Sequence, residues 1–376
     1  MTNGCGLSQA LMSDSEWTDF EQSCMQRALE IAKHGEGQVS PNPPVGCVLA
    51  KDGEIIAEGW HDHLGDLHAE QAAIADAEAR GVSTIGSTAF VTLEPCNHHG
   101  RTPPCTEALL WAGIKELIVA TPDPNPNVRG GGIEFLKNED IHRVRVGLLQ
   151  EEAQKQMAAF MCWCKTRRPL ITLKAALDIN GNADSNAQIP KRFTCEESLD
   201  FVHELRKKCD AVLIGVNTVI RDDPKLTVRR VPLGKGKQPL RIILDRHLRT
   251  PRDCKLATDG ERTLVLYCKD DGGDFPTETY CLPELGPKEN GMDMEQLVDF
   301  LGDLELQRVL IEGGPNVWSR FLKAGIVDEA YIFHSKVNLG EGIEGGITSE
   351  ILQNAGLSLR NSENVGDDRL EYWVKT

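Results

Sequence analysis

No apolar run in the chain approaches the ~20 residues that a membrane-spanning helix needs, which excludes a bilayer helix. Positive charge is also in deficit: 41 Lys and Arg stand against 57 Asp and Glu, a formal net charge of -16. A polynucleotide groove needs clustered Lys and Arg, so nucleic acid is not an expected partner, although a local basic pocket for one small phosphate is compatible with this balance. The opening "MTNGCGLSQALMSDSE" has neither a basic n-region nor an apolar h-region, so it does not read as a signal peptide. Internal repeats and low-complexity tracts are missing as well. These absences lead to the expectation of a cytoplasmic protein.

What is present is a soluble balance, 40% hydrophobic and 26% charged, over 376 residues. That length exceeds one ordinary core and argues for two domains. The 12 cysteines point to a reducing compartment, where spaced Cys and His suggest a metal or catalysis before disulfides. Cys47, Cys162, Cys209 and Cys268 lie in apolar runs and read as small core residues.

Residues 17–150 alternate helix and strand. "TDFEQSCMQRALEIAKHG" has helical spacing, with a capping box from Thr18 to Glu21 and a stop at Gly35. A hairpin follows across "VGCVLAKDGEIIAEGW", then an Ala-rich helix "HAEQAAIADAEARG". The strand "TAFVTLEP", the helix "PPCTEALLWAG" and the strand "KELIVAT" come next, and "PDPNPN" is a turn cluster. A polar helical stretch ending near Pro169 bridges to a second alternating run. There the strand candidates are "LITLKAAL", "DAVLIG", "LRIILD", "TLVLYC", "RVLIEG" and "EAYIFH". The helices are "CEESLDFVHELRKK", "MEQLVDFLGDL" and "NVWSRFLKAG", and residues 270–292 read as a loop.

The stretch "LEPCNHHGRTPPC" sets Cys96 and Cys105 nine positions apart, wider than an ordinary metal clip. "LHAE" supplies a histidine beside a carboxylate, His68 and Glu70, at the start of the Ala-rich helix. Pro104 reads as a first-turn proline, which puts Cys105 at a helix N-terminus where a thiolate is favoured. Three protein ligands, His68, Cys96 and Cys105, leave one zinc position open, and Glu70 is left over as general acid/base. H-x-E followed by P-C and a second Cys is the pattern of the zinc deaminases of nucleobases.

"SPNPPVG", "HAE" and "LEPCNHHGRTPPC" together resemble the deaminase domain of the bifunctional riboflavin-biosynthesis deaminase/reductases, the RibD family. The match covers nearly all of residues 17–150. The resemblance implies substrate contacts at Asn42, His61, His98 and Arg101, with the loop between the cysteines holding a ribose-phosphate. It continues through "HELRKKCDAVLIGVNTVIRDDPKLTVR", "QPLRIILD" and "LIEGGPNVWS". These imply a dihydrofolate-reductase-like domain over residues 170–376 that uses NADPH, beside a cytidine-deaminase-like α/β/α domain over 17–150. Lys174, Thr218, Asp222, Gly313, Gly314 and Pro315 fall to the cofactor side. Arg206, Leu226, Arg229 and Glu312 fall to the substrate side, with the two arginines suggesting a phosphate clamp.

Several positions depart from the family pattern. Asp178, Asn180 and Asn182 stand where Ser, Asp and Lys are usual, and Pro190 and Arg192 where Ser and Trp are usual; Lys174 and Thr194 remain. The chain is thus expected to lack several groups near the reductase pocket. The expected protein is a small-molecule enzyme of riboflavin biosynthesis: a zinc-dependent deaminase of a pyrimidine ribose-phosphate, coupled to an NADPH-dependent reductase, and a homo-oligomer. Two rivals stay open. In one, the second domain only binds; in the other, the cysteines form a structural zinc module, which requires four protein ligands and no role for Glu70.

Overall fold

The computed structural model describes residues 17–98, 103–125, 131–139, 141–188, 191–268, 275–282 and 293–376. In the first half, α1 (Asp19–Ala32) opens on Thr18, whose hydroxyl accepts from the Glu21 N–H at 3.2 Å while Glu21 accepts from the Thr18 N–H at 2.9 Å. The expected capping box is therefore formed. The hairpin is β1 (Gly46–Lys51) with β2 (Glu54–Trp60). Then come α2 (Ala69–Ala79), β3 (Thr88–Leu93), α3 (Cys105–Trp111), β4 (Glu116–Thr121), α4 (Gly132–Lys137) and β5 (Arg143–Val146). The five strands lie in the order β2-β1-β3-β4-β5, with β3, β4 and β5 parallel.

Helix α2 lies unusually close to this sheet. Its buried row is Ala69, Ala73 and Ala77, and on β2 a Cβ at Gly59 would stand 2.1 Å from the Ala73 nitrogen. Only a glycine admits the helix at that distance. The small residues thus fix where the start of α2, with His68 and Glu70, meets the ends of β3 and β4. Ligands of open α/β sheets gather outside those carboxyl ends.

The bridging stretch departs from its expected polar character. It forms two helices, α5 (Gln150–Gln156) and α6 (Ala158–Thr166), broken at Met157. Only α5 is polar. Phe160, Met161 and Cys164 of α6 pack into the first core, and the Trp163 indole donates to the Gly302 carbonyl of the second half at 3.3 Å. It is a packed strut joining the two halves.

The second half comprises β6 (Leu170–Leu177), β7 (Asn182–Ser185), α7 (Glu196–Lys207), β8 (Ala211–Gly215), α8 (Val216–Asp222), β9 (Leu240–Leu244), α9 (Lys255–Thr258), β10 (Thr263–Tyr267) and β11 (Glu278–Cys281). It continues through α10 (Met294–Asp303), β12 (Arg308–Gly313), α11 (Pro315–Lys323), β13 (Glu329–His334), β14 (Gly342–Glu344), α12 (Ser349–Asn354), β15 (Leu357–Val365) and β16 (Asp368–Lys375). Nine described strands form one sheet, β11-β10-β9-β8-β12-β6-β13-β16-β15, parallel except where β16 pairs with its two neighbours. All six expected strands are present. β11 lies inside the expected loop over 270–292 and corrects it. That strand is short and mostly exposed at the sheet edge, so it carries no buried pattern to read. The C-terminal hairpin of β15 and β16 was not anticipated either; β15 is an edge strand of largely exposed polar residues. Among the described residues no helix is long and apolar enough to cross a membrane.

Of the four cysteines read as core residues, Cys47, Cys209 and Cys268 are buried. Cys162 is only partly covered, its thiol directed at the Arg168 carbonyl at 3.7 Å.

Candidate active sites

His68 is the N-cap of α2, in extended backbone, and Glu70 lies in the first turn. Cys96 follows β3. Cys105 is the first residue of α3, and Pro104 is its N-cap rather than a residue of the first turn, a shift of one position from expectation. The three side chains converge. His68 Nδ1 lies 3.5 Å from Cys96 Sγ and 3.4 Å from Cys105 Sγ, and all three ligand atoms are within 4.8 Å of one another. The Cys105 N–H points at Cys96 Sγ, 3.4 Å away.

The electrostatics suit a cation. The Cys105 thiol and the His68 imidazole both bond the Cys96 sulfur and pull its pKa down to about 4, while the same pairing and burial push Cys105 up. Glu70 is only 3% exposed, and burial, followed by the Cys96 thiolate, raises its carboxyl to about 7. Two thiols, one imidazole nitrogen and an uncoordinated buried carboxylate are the donor chemistry of a catalytic zinc site. The described residues thus fit zinc, which His68, Cys96 and Cys105 would hold.

Around this cluster is a cavity of about 240 Å³. Asn42, His61 and His98 all line it; Arg101 lies outside the described residues. His61 is 3% exposed, and its neighbours fix its tautomer. Nδ1–H donates to the Leu67 carbonyl at 2.9 Å, and Nε2 accepts from the Asn42 amide at 3.2 Å. Burial holds its pKa below the usual value, so the ring is neutral. It meets the His68 ring edge-on at 5.3 Å between centroids.

Sequence reasoning missed several cavity residues. Glu94 accepts from the N–H groups of Asp123, Gly131 and Ile133 at 3.0–3.2 Å and so anchors the loop after β4. Phe160 and Trp163 of α6 form an apolar wall, and Glu305 and Gln307 arrive from the second half. A carboxylate beside "PC" was visible as Glu94. The four residues from distant segments gave no local signal.

The second site is a cavity of about 1410 Å³ in the other half. It exceeds the ~300–1,000 Å³ of an ordinary single-ligand pocket, which suits a dinucleotide together with a substrate. Lys174, Thr218, Asp222, Gly314 and Pro315 line it, as do Arg206, Leu226, Arg229 and Glu312. Gly313 stands behind the wall. Its φ of 150° suits only glycine, and its peptide bond to Gly314 is cis. Gly314 caps α11, Pro315 is the first helical residue, and a Cβ on Gly314 would lie 3.2 Å from the Thr218 hydroxyl. Leu226 is buried at a φ of 55°, rare for a branched side chain.

Arg206 and Arg229, the two arginines expected to face one ligand, both line the cavity. Arg206 is bidentate to Glu312, with Nη2 to Oε2 at 2.8 Å, and its remaining Nη1 donates to the Thr227 carbonyl at 3.2 Å. Arg192 is a further cation at the same cavity wall. Desolvation, Arg206 and Arg192 together lower the Arg229 pKa. His203, also missed, accepts from the Arg229 N–H at 3.1 Å. Burial and the neighbouring arginines drive its pKa down to about 4, so it is neutral.

The departures from the family pattern are fewer at the cavity than expected. Asp178, Asn180 and Asn182 do not line it. Asp178 accepts from the backbone N–H groups of Asn180, Asn182 and Leu339 at 2.7–3.0 Å, which hold its carboxyl below the usual range against the opposing effect of burial. The Asn180 amide donates to Asn338 at 3.0 Å. These residues build a turn behind the site. Pro190 lies outside the described residues, leaving Arg192 as the one described departure at the wall. Asp178→Ala should therefore destabilise the chain by about 1–3 kcal/mol by orphaning buried donors, with the KM for NADPH unchanged. Denaturant unfolding and steady-state reduction check this, and a raised KM at undiminished stability would contradict it.

Comparison with known proteins agrees with both halves. The family model described as the cytidine and deoxycytidylate deaminase zinc-binding region matches residues 18–121, and that of the RibD C-terminal domain matches residues 169–370. The riboflavin biosynthesis protein RibD of Aquifex aeolicus is 39% identical, over 95% of this chain and 99% of that protein. Its counterpart in Escherichia coli is 35% identical, over 85% and 89%. The crystal structure of a diaminohydroxyphosphoribosylaminopyrimidine deaminase/5-amino-6-(5-phosphoribosylamino)uracil reductase from Thermotoga maritima superposes with a TM-score of 0.84 at 35% identity. It covers 95% of this chain and 99% of that one. Acinetobacter baumannii RibD gives 0.83 at 32%, with the same coverage. With a His/Cys/Cys cluster beside a buried glutamate in one half and a cofactor-sized cavity in the other, the chain belongs to the RibD family of riboflavin-biosynthesis enzymes, bifunctional proteins with a zinc-dependent deaminase and an NADPH-dependent reductase.

Proposed function

We propose that the chain converts 2,5-diamino-6-(5-phosphoribosylamino)pyrimidin-4(3H)-one in two steps, with residues 17–150 as the deaminase domain and 170–376 as the reductase domain. The observation that carries this reading is the convergence of His68, Cys96 and Cys105 on one point beside an uncoordinated, buried Glu70. When bound, zinc supplies Lewis-acid activation of water. Glu70 carries the two protons of that water in turn, one to the adjacent ring nitrogen and one to the departing amine, so one water is consumed and one ammonia released as the amine-bearing carbon becomes a carbonyl. A carboxyl poised near neutrality suits both transfers. Asn42, its amide fixed by the His61 ring, is assigned to hold the substrate, His98 and Arg101 are assigned to its phosphate, and Phe160 and Trp163 keep one wall dry.

In the second step NADPH, when bound, supplies the hydride that converts the ribosyl chain to ribityl. Lys174, Thr218, Asp222, Gly314 and Pro315, which line the cavity, are assigned to the cofactor, with Gly313 shaping the turn before Gly314. Leu226, Arg229, Arg206 and Glu312 stand on the substrate side. No described residue lines both cavities, so the deaminated product travels from one to the other.

Stripping the metal with a chelator should abolish ammonia release and leave NADPH-dependent reduction of the separately supplied deaminated substrate intact. One equivalent of zinc per chain should restore the first activity. Metal analysis coupled to an ammonia assay reads this, and undiminished deamination by the metal-free chain would sink the proposal.

A further inference from the structure

Resting on that reading of the first site, we propose that Gln307, a residue of the second half, is a positioning residue for deamination. It holds the turn that carries Asn42. The turn "SPNPP" has prolines at 41, 43 and 44, which lack the N–H a backbone needs to anchor itself. Its internal bond is Asn42 N–H to the Val39 carbonyl at 2.9 Å. Beyond this bond and that of the Asn42 side chain to His61, its anchoring comes from across the interface. The buried Gln307 amide donates to the Pro41 carbonyl at 2.6 Å. One oxygen of Asp210 accepts from the Gln307 and Arg308 N–H groups at 2.8 and 2.9 Å, and its other oxygen accepts from the Ser40 hydroxyl.

From this anchor a continuous path leads to the metal ligands. Asn42 bonds His61 at 3.2 Å, and His61 packs edge-on against His68. Gln307 itself also lines the first cavity. Flanking contacts hold the same face shut: Lys235 to Asp62 at 2.7 Å, Lys208 to Glu36 at 2.6 Å, and the Lys235 N–H to Gln38 at 2.8 Å. A turn with so few bonds of its own depends on Gln307 for the placement of Asn42, and a small misplacement of a substrate-holding group is felt in the reaction. The reductase half thereby completes the deaminase site.

The test uses the full-length, zinc-loaded chain and two variants, Gln307→Leu and Ser40→Ala, which cut the anchor at different bonds. Ammonia release from the diaminopyrimidine ribose-phosphate and NADPH oxidation with separately supplied deaminated substrate are measured on each. Loss of one such bond should raise the KM for deamination about three- to tenfold in each variant, with kcat within about twofold. Reduction should be unchanged, an outcome that general misfolding would not give. An unchanged KM for deamination in both variants, or a parallel fall of both activities in both, overturns the inference. Failure of the wild-type chain to release ammonia overturns the functional reading itself, and this inference with it.

Discussion

Glu70→Gln should keep one zinc per chain and the native fold yet lose ammonia release by about 10²–10⁴-fold, toward the upper end because the same carboxyl takes up the proton and gives it back. Glutamine preserves the shape of the side chain and removes its ability to take up and release a proton. Glu70 is buried beside the His68/Cys96/Cys105 cluster, and no ligand count assigns it to the metal. The variant should therefore separate metal binding from chemistry. Metal analysis, circular dichroism and an ammonia assay on one preparation read all three properties. Near-normal deamination by a folded, zinc-loaded variant would leave Glu70 without a role. Zinc loss would make it a ligand and return the site to the structural kind.

The second large effect lies in the other half. Glu312→Leu should destabilise the reductase half by about 3–5 kcal/mol, because it leaves the Arg206 guanidinium buried without its counter-charge. Both side chains are about nine-tenths covered, and they meet in a two-bond pair. Replacing both, as in Arg206→Met with Glu312→Leu, should recover most of the stability, since a buried pair replaced by apolar groups is often neutral. Reduction should stay lost in both variants, because Glu312 lines the cavity and is the residue proposed to hold the substrate there. Denaturant titration with NADPH oxidation distinguishes the two outcomes. A double variant that is no more stable than the single one would mean that the pair does more than neutralise itself.

The first site was more legible in the sequence than the second, for a physical reason. His68, Glu70, Cys96 and Cys105 belong to short segments at the start of a helix or the end of a strand, where residue type and local geometry nearly coincide. The Ala-rich helix and Gly59 then do the placing. At the second site the residue types were readable but their pairing was not. Arg206 and Arg229 are separated by a strand and a helix, and nothing local says that Glu312, more than a hundred residues away, claims the first of them. For the same reason Asp178, Asn180 and Asn182 read as lost cavity groups when they close a turn behind the wall. Sequence adjacency to a site residue does not say on which side of a strand a side chain ends. Edge strands β11 and β15 were illegible because they bury little, so neither leaves a hydrophobic period. Gln307 could be found only once the two halves were seen in contact.

Mass analysis of the products formed by the zinc-loaded chain from the diaminopyrimidine ribose-phosphate, with and without NADPH, tests the central claim most directly. Without NADPH the account predicts the deaminated ribosylamino compound and one ammonia per turnover. With NADPH it predicts the ribityl compound, with NADPH consumed in equal amount. A ribityl product that still carries the amine, or no change in the substrate under either condition, would contradict it.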